Sequence, residues 1–272
     1  MRVCLLTDKP DHPLLAATAA LLAGAGHRVT FLDPDAGPGD PWERIAPDGR
    51  GPAEVYLLKA HTPAALALAR RLEAHGARVV NSAAATELCQ DRGRLAEVAD
   101  AAALPMPRTR TLAALSDALP GAGRPEHRYP IMVKSRHSRR ADLVARADGP
   151  DALRELAAAW PDEPVVLQDF VPNSGWDHKL WVISGEVFTA VRPTPVGALP
   201  RGAHDAPLVR DLPSAWTGTA LRAGEVFGLD VYGVDLLDRE GGPVVVDVNA
   251  FPGIRGPQGA PAALAALALR RP

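Results

Sequence analysis

The first eighty residues restrict the fold more than any other stretch. A short apolar run from Arg2 to Thr7 is followed by an Ala/Leu segment, Leu14 to Ala23, that stops at Gly24-Ala25-Gly26, and a second apolar run fills His27 to Leu32. Strand, helix, strand in that order is a β-α-β unit, whose strands pair in parallel. Glu54 to Leu58 reads as a third strand, Thr62 to His75 as a helix ended by Gly76, and Arg78 to Asn81 as a fourth strand. Asp33 to Pro52, dense in Asp, Gly and Pro, reads as a loop. Residues 1–82 are therefore expected to form a small α/β domain with a parallel sheet.

Composition narrows what such a chain does. With 272 residues, 47% hydrophobic and 23% charged, it can bury two or three cores, and a disordered reading fails. A net charge of -2 supplies no global field for a nucleic-acid backbone, so nucleic acid is not an expected partner. Cys4 and Cys89 lie far apart without metal-ligand spacing, which fits a reducing cytosol. The N-terminal apolar run is too short for a signal peptide, and Leu14 to Ala23 is too short to span a bilayer. The expectation is a cytoplasmic protein without a membrane partner.

Beyond residue 83 the pattern changes. Ala83 to Ala103 reads as one helix, ending before the extended Leu104-Pro105-Met106-Pro107. Pro130–Ser135, Leu143–Ala147 and Val165–Phe170 read as strands, with a helix over Asp151–Trp160. Four more strands, Leu180–Ile183, Val187–Val191, Tyr232–Leu237 and Val244–Val248, and a helix over Ala215–Phe227 follow. Pro193 to Leu212 lacks periodicity and reads as a long active-site loop. The expected units are thus α+β subdomains at 83–170 and 171–272.

Three constellations carry chemistry. In Gly233-Val234-Asp235-Leu236-Leu237 and Val244-Val245-Val246-Asp247-Val248-Asn249, polar residues interrupt apolar strands. Asp247 and Asn249 share a strand face, and a hairpin through Asp238-Arg239-Glu240-Gly241-Gly242 could bring Asp235 beside them. Three such oxygen donors suit Mg²⁺, or Mn²⁺ in its place. The plain alternative is a solvated outward face. Second, Lys134 ends an apolar strand and opens onto Ser135-Arg136-His137-Ser138-Arg139-Arg140, a basic loop suited to anions. A basic surface turn is the competing reading. Only Lys9, Lys59, Lys134 and Lys179 are lysines among 30 basic residues, so each retained ammonium is a candidate for a role arginine cannot fill. Third, Gln168-Asp169-Phe170-Val171-Pro172 leads from a strand toward Asp177 and Lys179, which share a face. By spacing alone this is equally an ordinary edge strand with an ion pair.

In this order and at these separations the three segments resemble the ATP-grasp superfamily, and the ending Val246-Asp247-Val248-Asn249-Ala250-Phe251-Pro252-Gly253 is similar to its RimK-like carboxylate-amine ligases. The resemblance implies a small N-terminal α/β domain followed by two α+β subdomains that clamp Mg-ATP. It implies Asp235, Asp247 and Asn249 at the metal, Lys134 on the α and β phosphates, and Gln168, Asp169, Phe170 and Val171 along the adenine. Asp177 would lie near the ribose, with Lys179 and Arg192 at the transferred phosphate. Arg92 in Asp91-Arg92-Gly93-Arg94 falls where such ligases usually carry lysine. Arg136, His137, Arg139, Arg140 and Arg255 are candidate substrate contacts, and Lys9, His12 and Lys59 would contribute to the substrate side. The implied reaction joins a small-molecule or peptide carboxylate to an amine through an acyl phosphate, in a protein whose relatives suggest a homodimer.

Departures keep rivals open. The 136–140 loop has no glycine, and the Asn-x-x-x-Gly-Gly stretch of RimK-like ligases has no counterpart between Arg192 and Ala215. Arg92, His137 and Asn249-Ala250-Phe251-Pro252-Gly253 are similar to the inositol-trisphosphate kinase branch, which phosphorylates a hydroxyl. A small-molecule kinase and a non-catalytic nucleotide-binding protein are the two alternatives.

Overall fold

The computed structural model describes residues 1–37, 40–45, 52–119, 127–139, 141–194 and 212–270. Most of the long loop expected at Pro193 to Leu212 lies outside them.

The N-terminal strands β1 (Arg2–Leu6), β2 (Arg28–Leu32), β3 (Val55–Leu58) and β4 (Arg78–Val80) form a parallel sheet in the order β2-β1-β3-β4. Helices α1 (Pro13–Gly24) and α2 (Pro63–Ala74) cover it. β1 is buried on both faces, as a central parallel strand must be. Val3 and Leu5 point into one core; Cys4 and Leu6 point into another with Leu68 and Leu72 of α2. Cys4 and Cys89 are both free and buried.

The expected single helix at 83–103 is two: α3 (Ala83–Leu88) and α4 (Arg92–Ala101). The break is a capping event. The Asp91 side chain accepts from the backbone N–H of Gly93 and Arg94, restarting the helix on a new axis. Ala85, Cys89, Leu95, Ala99 and Leu104 pack into the core under the C-terminal sheet, while α4 also lies against the strand Thr109–Leu112 that follows it.

The second sheet, ordered β5-β8-β6-β7, contains β5 (Thr109–Leu112), β6 (Ile131–Ser135), β7 (Val144–Ala147) and β8 (Val165–Asp169), backed by α5 (Pro150–Ala159). β5, Thr-Arg-Thr-Leu, was hidden by its polar side chains; it is an edge strand paired with β8. The third sheet, ordered β10-β9-β11-β12, is antiparallel: β9 (Trp176–Ile183), β10 (Glu186–Pro193), β11 (Val231–Arg239) and β12 (Gly242–Ala250). Helix α6 (Ser214–Phe227) covers one face and ends on Gly228, whose φ of 65° a side chain would disfavour.

A last helix, α7 (Ala260–Leu269), went unread in the sequence, although Gly259 and Pro261 mark its start. It packs on α1 and on the third sheet, so Leu264 and Leu267 share one core with Val3, Leu5, Trp181 and Ile183. Fully burying an aliphatic side chain of this kind contributes about 1.5–3 kcal/mol, and this core fastens the N-terminal sheet to the C-terminal one. Asn81 adds a polar fastening: its Nδ2 donates to Val231 O at 2.7 Å, while its Oδ1 accepts from the N–H of Asp230 and Val231. Among the described residues no helix is long and apolar enough to cross a membrane.

Candidate functional site

The third sheet divides its labour along one face. Even-numbered residues such as Leu180, Val182, Tyr232 and Val234 point to α6. On the opposite face Trp181, Ile183 and Val231 meet α7, and further along the same face stand Asp177, Lys179, Asp235, Asp247 and Asn249. The ladder sets this row: Asp235 lies opposite Asp247 on one side and Lys179 on the other, and Arg192 lies opposite Asp177. A register shift between Asp235 and Leu236 adds a residue to β12, turning Val246 as well as Asp247 toward the open side.

Opposite this row stands the second sheet. Met132 and Lys134 of β6, Val144 of β7 and Gln168 of β8 share the face away from α5. Between the sheets lies a cavity of about 280 Å³, closed at the back by Asp169, Phe170, Val171 and Asn173. Arg92, Asp177, Arg192, Thr194, Asp235, Leu237, Val246 and Asp247 complete its lining.

Its electrostatics are tight. Lys134 is buried, and its Nζ donates to Val246 O across the gap at 2.9 Å. Burial lowers its pKa; Asp247 opposes that. Asp235 is 7% exposed, and burial pushes its carboxyl up to about 6 despite the Lys179 ammonium 2.7 Å away. Arg192 joins the acids: its Nε donates to Asp177 Oδ2 at 2.7 Å, and a terminal nitrogen lies 3.3 Å from Asp235 Oδ2. Asp177 Oδ1 is buried without a partner among the described residues. Arg92 opens α4 beneath the cavity, bonding Ser135 O at 2.9 Å and Asp142 at 2.6 Å and standing 3.8 Å from Asp247.

The residues singled out by sequence divide into three groups. Arg92, Lys134, Gln168, Asp169, Phe170, Val171, Asp177, Arg192, Asp235 and Asp247 line the cavity. Lys179 and Asn249 reach it through a carboxylate each, Lys179 on Asp235 and Asn249 Nδ2 on Asp247 Oδ2 at 3.4 Å. The basic loop does not turn to the cavity as expected. Arg136 is held by both oxygens of Asp91, Arg139 pairs with Glu163 at 2.7 Å, and His137 is exposed. Arg136 and Arg139 thus each hold a charge-assisted hydrogen bond to an acid of the chain itself. Arg140 lies outside the described residues, and Arg255 stands apart on the loop after β12. Sequence reasoning missed Met132, Val144, Leu237 and Val246, apolar residues whose only signal was alternation against their polar neighbours. It also missed Arg146, whose guanidinium lies 4.2 Å over the Phe170 ring.

Asp235, Asp247 and Asn249 offer hard oxygen donors on one face, which suits Mg²⁺ or Mn²⁺. Among the described residues no three His, Cys, Asp or Glu side chains cluster for a metal, so the third protein donor would be the Asn249 carboxamide. The buried Asp235 carboxylate, already drawing two cations to itself, fits such a demand.

A family model for the RimK-like ATP-grasp domain matches residues 102–261, more than half of the sequence. The chain belongs to the RimK-like ATP-grasp family. It is 28% identical over 198 residues to a probable alpha-L-glutamate ligase of Rhodopirellula baltica, covering 70% of this chain and 48% of that protein. Against a probable alpha-L-glutamate ligase of Vibrio vulnificus it is 28% identical over 197 residues, covering 70% and 65%. It thus spans about half to two thirds of the length of these curated relatives. The ATP-grasp fold is shared across the whole chain with a RimK domain protein from Sphaerobacter thermophilus, at a TM-score of 0.73 and 24% identity, covering 99% of this chain and 100% of that one. D-alanine–D-alanine ligase from Bacillus anthracis, complexed with ATP, aligns at a TM-score of 0.66 and 14% identity, covering 93% and 87%.

Proposed function

We propose that this RimK-like ATP-grasp chain is an ATP-dependent carboxylate-amine ligase that makes an amide through an acyl phosphate. One observation carries the reading: Lys134 from one sheet and Asp235 and Asp247 from another line a single cavity that the apolar side chains of Met132, Val144 and Leu237 also line. An ammonium facing paired carboxylates across such a cleft suits a nucleotide triphosphate with its base against Met132, Val144 and Leu237. Asp177 Oδ1, a buried acceptor without a partner, would take a ribose hydroxyl. Asp235, Asp247 and Asn249 would hold Mg²⁺, which neutralises phosphate charge when bound.

Phosphoryl transfer demands positioning and charge more than acid-base chemistry. A substrate carboxylate oxygen takes the γ-phosphoryl group as the bond to the β-phosphate oxygen breaks, giving ADP and an acyl phosphate. The amine nitrogen then attacks the acyl carbon; phosphate leaves with the electron pair and a proton leaves the nitrogen. Lys134, Lys179 and Arg192 would spread their charge over the migrating group, and Arg92 would hold the 135–142 segment against Asp247. The matched relatives are named for glutamate, which makes L-glutamate the first substrate to try.

The test is release of ADP and phosphate that requires both a carboxylate and an amine, with neutral hydroxylamine trapping a hydroxamate when the amine is omitted. Turnover on a hydroxyl acceptor alone would overturn the reading. The commitments of Arg136 to Asp91 and Arg139 to Glu163 weigh against a kinase that reads an anionic polyol with this loop.

A further inference from the structure

The segment that follows β6 is a strap between the second sheet and the helices packed under the third. Ser135 closes its base: the Ser135 N–H donates to Leu143 O at 2.8 Å, and Ser135 Oγ accepts from the Leu143 N–H at 2.9 Å. Its middle is tied to the elbow between α3 and α4, whose Ala85, Cys89 and Leu95 lie in the core of the third sheet. Arg92 N–H donates to Arg136 O and Ser138 N–H donates to Gln90 O, each at 2.9 Å. Asp91 and His137 thereby face each other as one rung of an antiparallel ladder.

An ion pair sits on that rung. Arg136 Nε lies 3.0 and 3.1 Å from the two oxygens of Asp91, and a terminal nitrogen lies 2.8 Å from Oδ2. Such a two-pronged pair fixes orientation as well as distance. Asp91 Oδ1 also accepts from the N–H of Gly93 at 3.0 Å and of Arg94 at 3.2 Å, so one carboxylate holds both the start of α4 and the strap. Burial works against the charged form of Asp91, yet Arg136 and the two amides keep its pKa below the usual carboxylate range.

The consequence falls on the next residue. One terminal nitrogen of Arg92 donates to Ser135 O and Asp142, both on the strap; the other lies 3.5 Å from Ser138 Oγ and 3.8 Å from Asp247 Oδ2. Lys134 stands one residue before the strap. Arg92 therefore spans from the strap that continues the Lys134 strand to the carboxylate opposite. We propose that Asp91 and Arg136 are positioning residues that act through Arg92, holding Lys134 and Asp247 at the separation that takes the phosphates of a nucleotide. The proposal rests on the nucleotide part of the ligase reading and not on its carboxylate or amine.

Two variants of the full chain test it. Asp91→Asn keeps an oxygen for the α4 amides and removes the charge; Arg136→Met keeps an unbranched side chain and removes the fork. Calorimetric titration with Mg-ATP should give a Kd at least tenfold higher in each. Adenosine, read by displacement of a fluorescent ATP analogue, should bind within twofold of the wild type, because Met132, Val144 and Leu237 are carried by the strands themselves. The double variant should bind Mg-ATP within twofold of the weaker single one, since the pair acts as a unit. Amide hydrogen exchange over 90–94 and 135–139 should quicken at least tenfold in both single variants. A smaller loss of Mg-ATP affinity in either variant, an equal loss for adenosine, losses that multiply in the double variant, or unchanged exchange each overturn the proposal. A wild type that binds Mg-ATP, loses it in both variants and yet releases no ADP with any carboxylate and amine keeps the positioning pair and loses only the ligase reading.

Discussion

Replacing Lys134 separates a catalytic charge from a structural one. The residue is 8% exposed, and among the described residues its ammonium makes one hydrogen bond, to Val246 O at 2.9 Å. A hydrogen bond involving a charged group is worth about 1.5–3 kcal/mol, and a carbonyl left without its partner costs about 1–3 kcal/mol. Against this stands the cost of keeping an ammonium out of water, several kcal/mol, visible in the lowered pKa of Lys134. These terms nearly cancel, so Lys134→Met should leave stability within about 2 kcal/mol, a shift in Tm of roughly 4–8 °C at most. Turnover has no such compensation. Removing one preorganised donor from a developing phosphate charge costs about 3–4 kcal/mol, or 10²–10³ in kcat. Lys134→Arg should not restore it, because a planar fork in a space closed by Met132 and Val246 cannot act as a compact charge. Coupled-enzyme detection of ADP, beside thermal unfolding of both variants, reads the two quantities separately. An arginine variant with near wild-type turnover refutes the compact-charge argument, and a methionine variant that unfolds at ambient temperature shows Lys134 to be structural.

Asp247→Asn should lower ADP release at least a hundredfold with the far-ultraviolet circular dichroism unchanged, and in the wild type EDTA should abolish release until Mg²⁺ or Mn²⁺ is added in excess. His61 is held down to about 4 by burial, with Lys59 contributing. Its folded pKa lies below its unfolded one, so it contributes stability that is complete above pH 6.5 and is lost as pH falls toward 4, by at most about 3 kcal/mol. Urea midpoints measured across that window should flatten in His61→Gln; an unchanged slope would contradict the assignment. Gly224→Ala places a methyl against the ring and hydroxyl of Tyr232, which bonds Ala220 O at 3.0 Å. Overpacking there should cost about 1–3 kcal/mol, read as a lower Tm.

Most of the framework was legible because apolar periodicity is a local property. The β-α-β start, the helix before Gly228 and the strands holding Asp235 and Asp247 all follow from residues a few positions apart. What escaped had little local signal: β5 has three polar residues of four, and α7 is too uniformly apolar to show a face, buried as it is between α1 and the third sheet. The break at Asp91 was readable as a cap, but only against a helical pattern that continued past it.

Chain order alone sets which residues carry charge, which strands hold them, and that Asp247 and Asn249 share a face, because the period of a strand is fixed by its backbone. What those charges meet depends on how the sheets and helices pack. Arg136 and Arg139 went to Asp91 and Glu163, the β12 bulge turned Val246 beside Asp247, and the fold brought Gly253 against His12. Side chains choose partners by distance and by the cost of leaving water, and neither is written in separation along the chain.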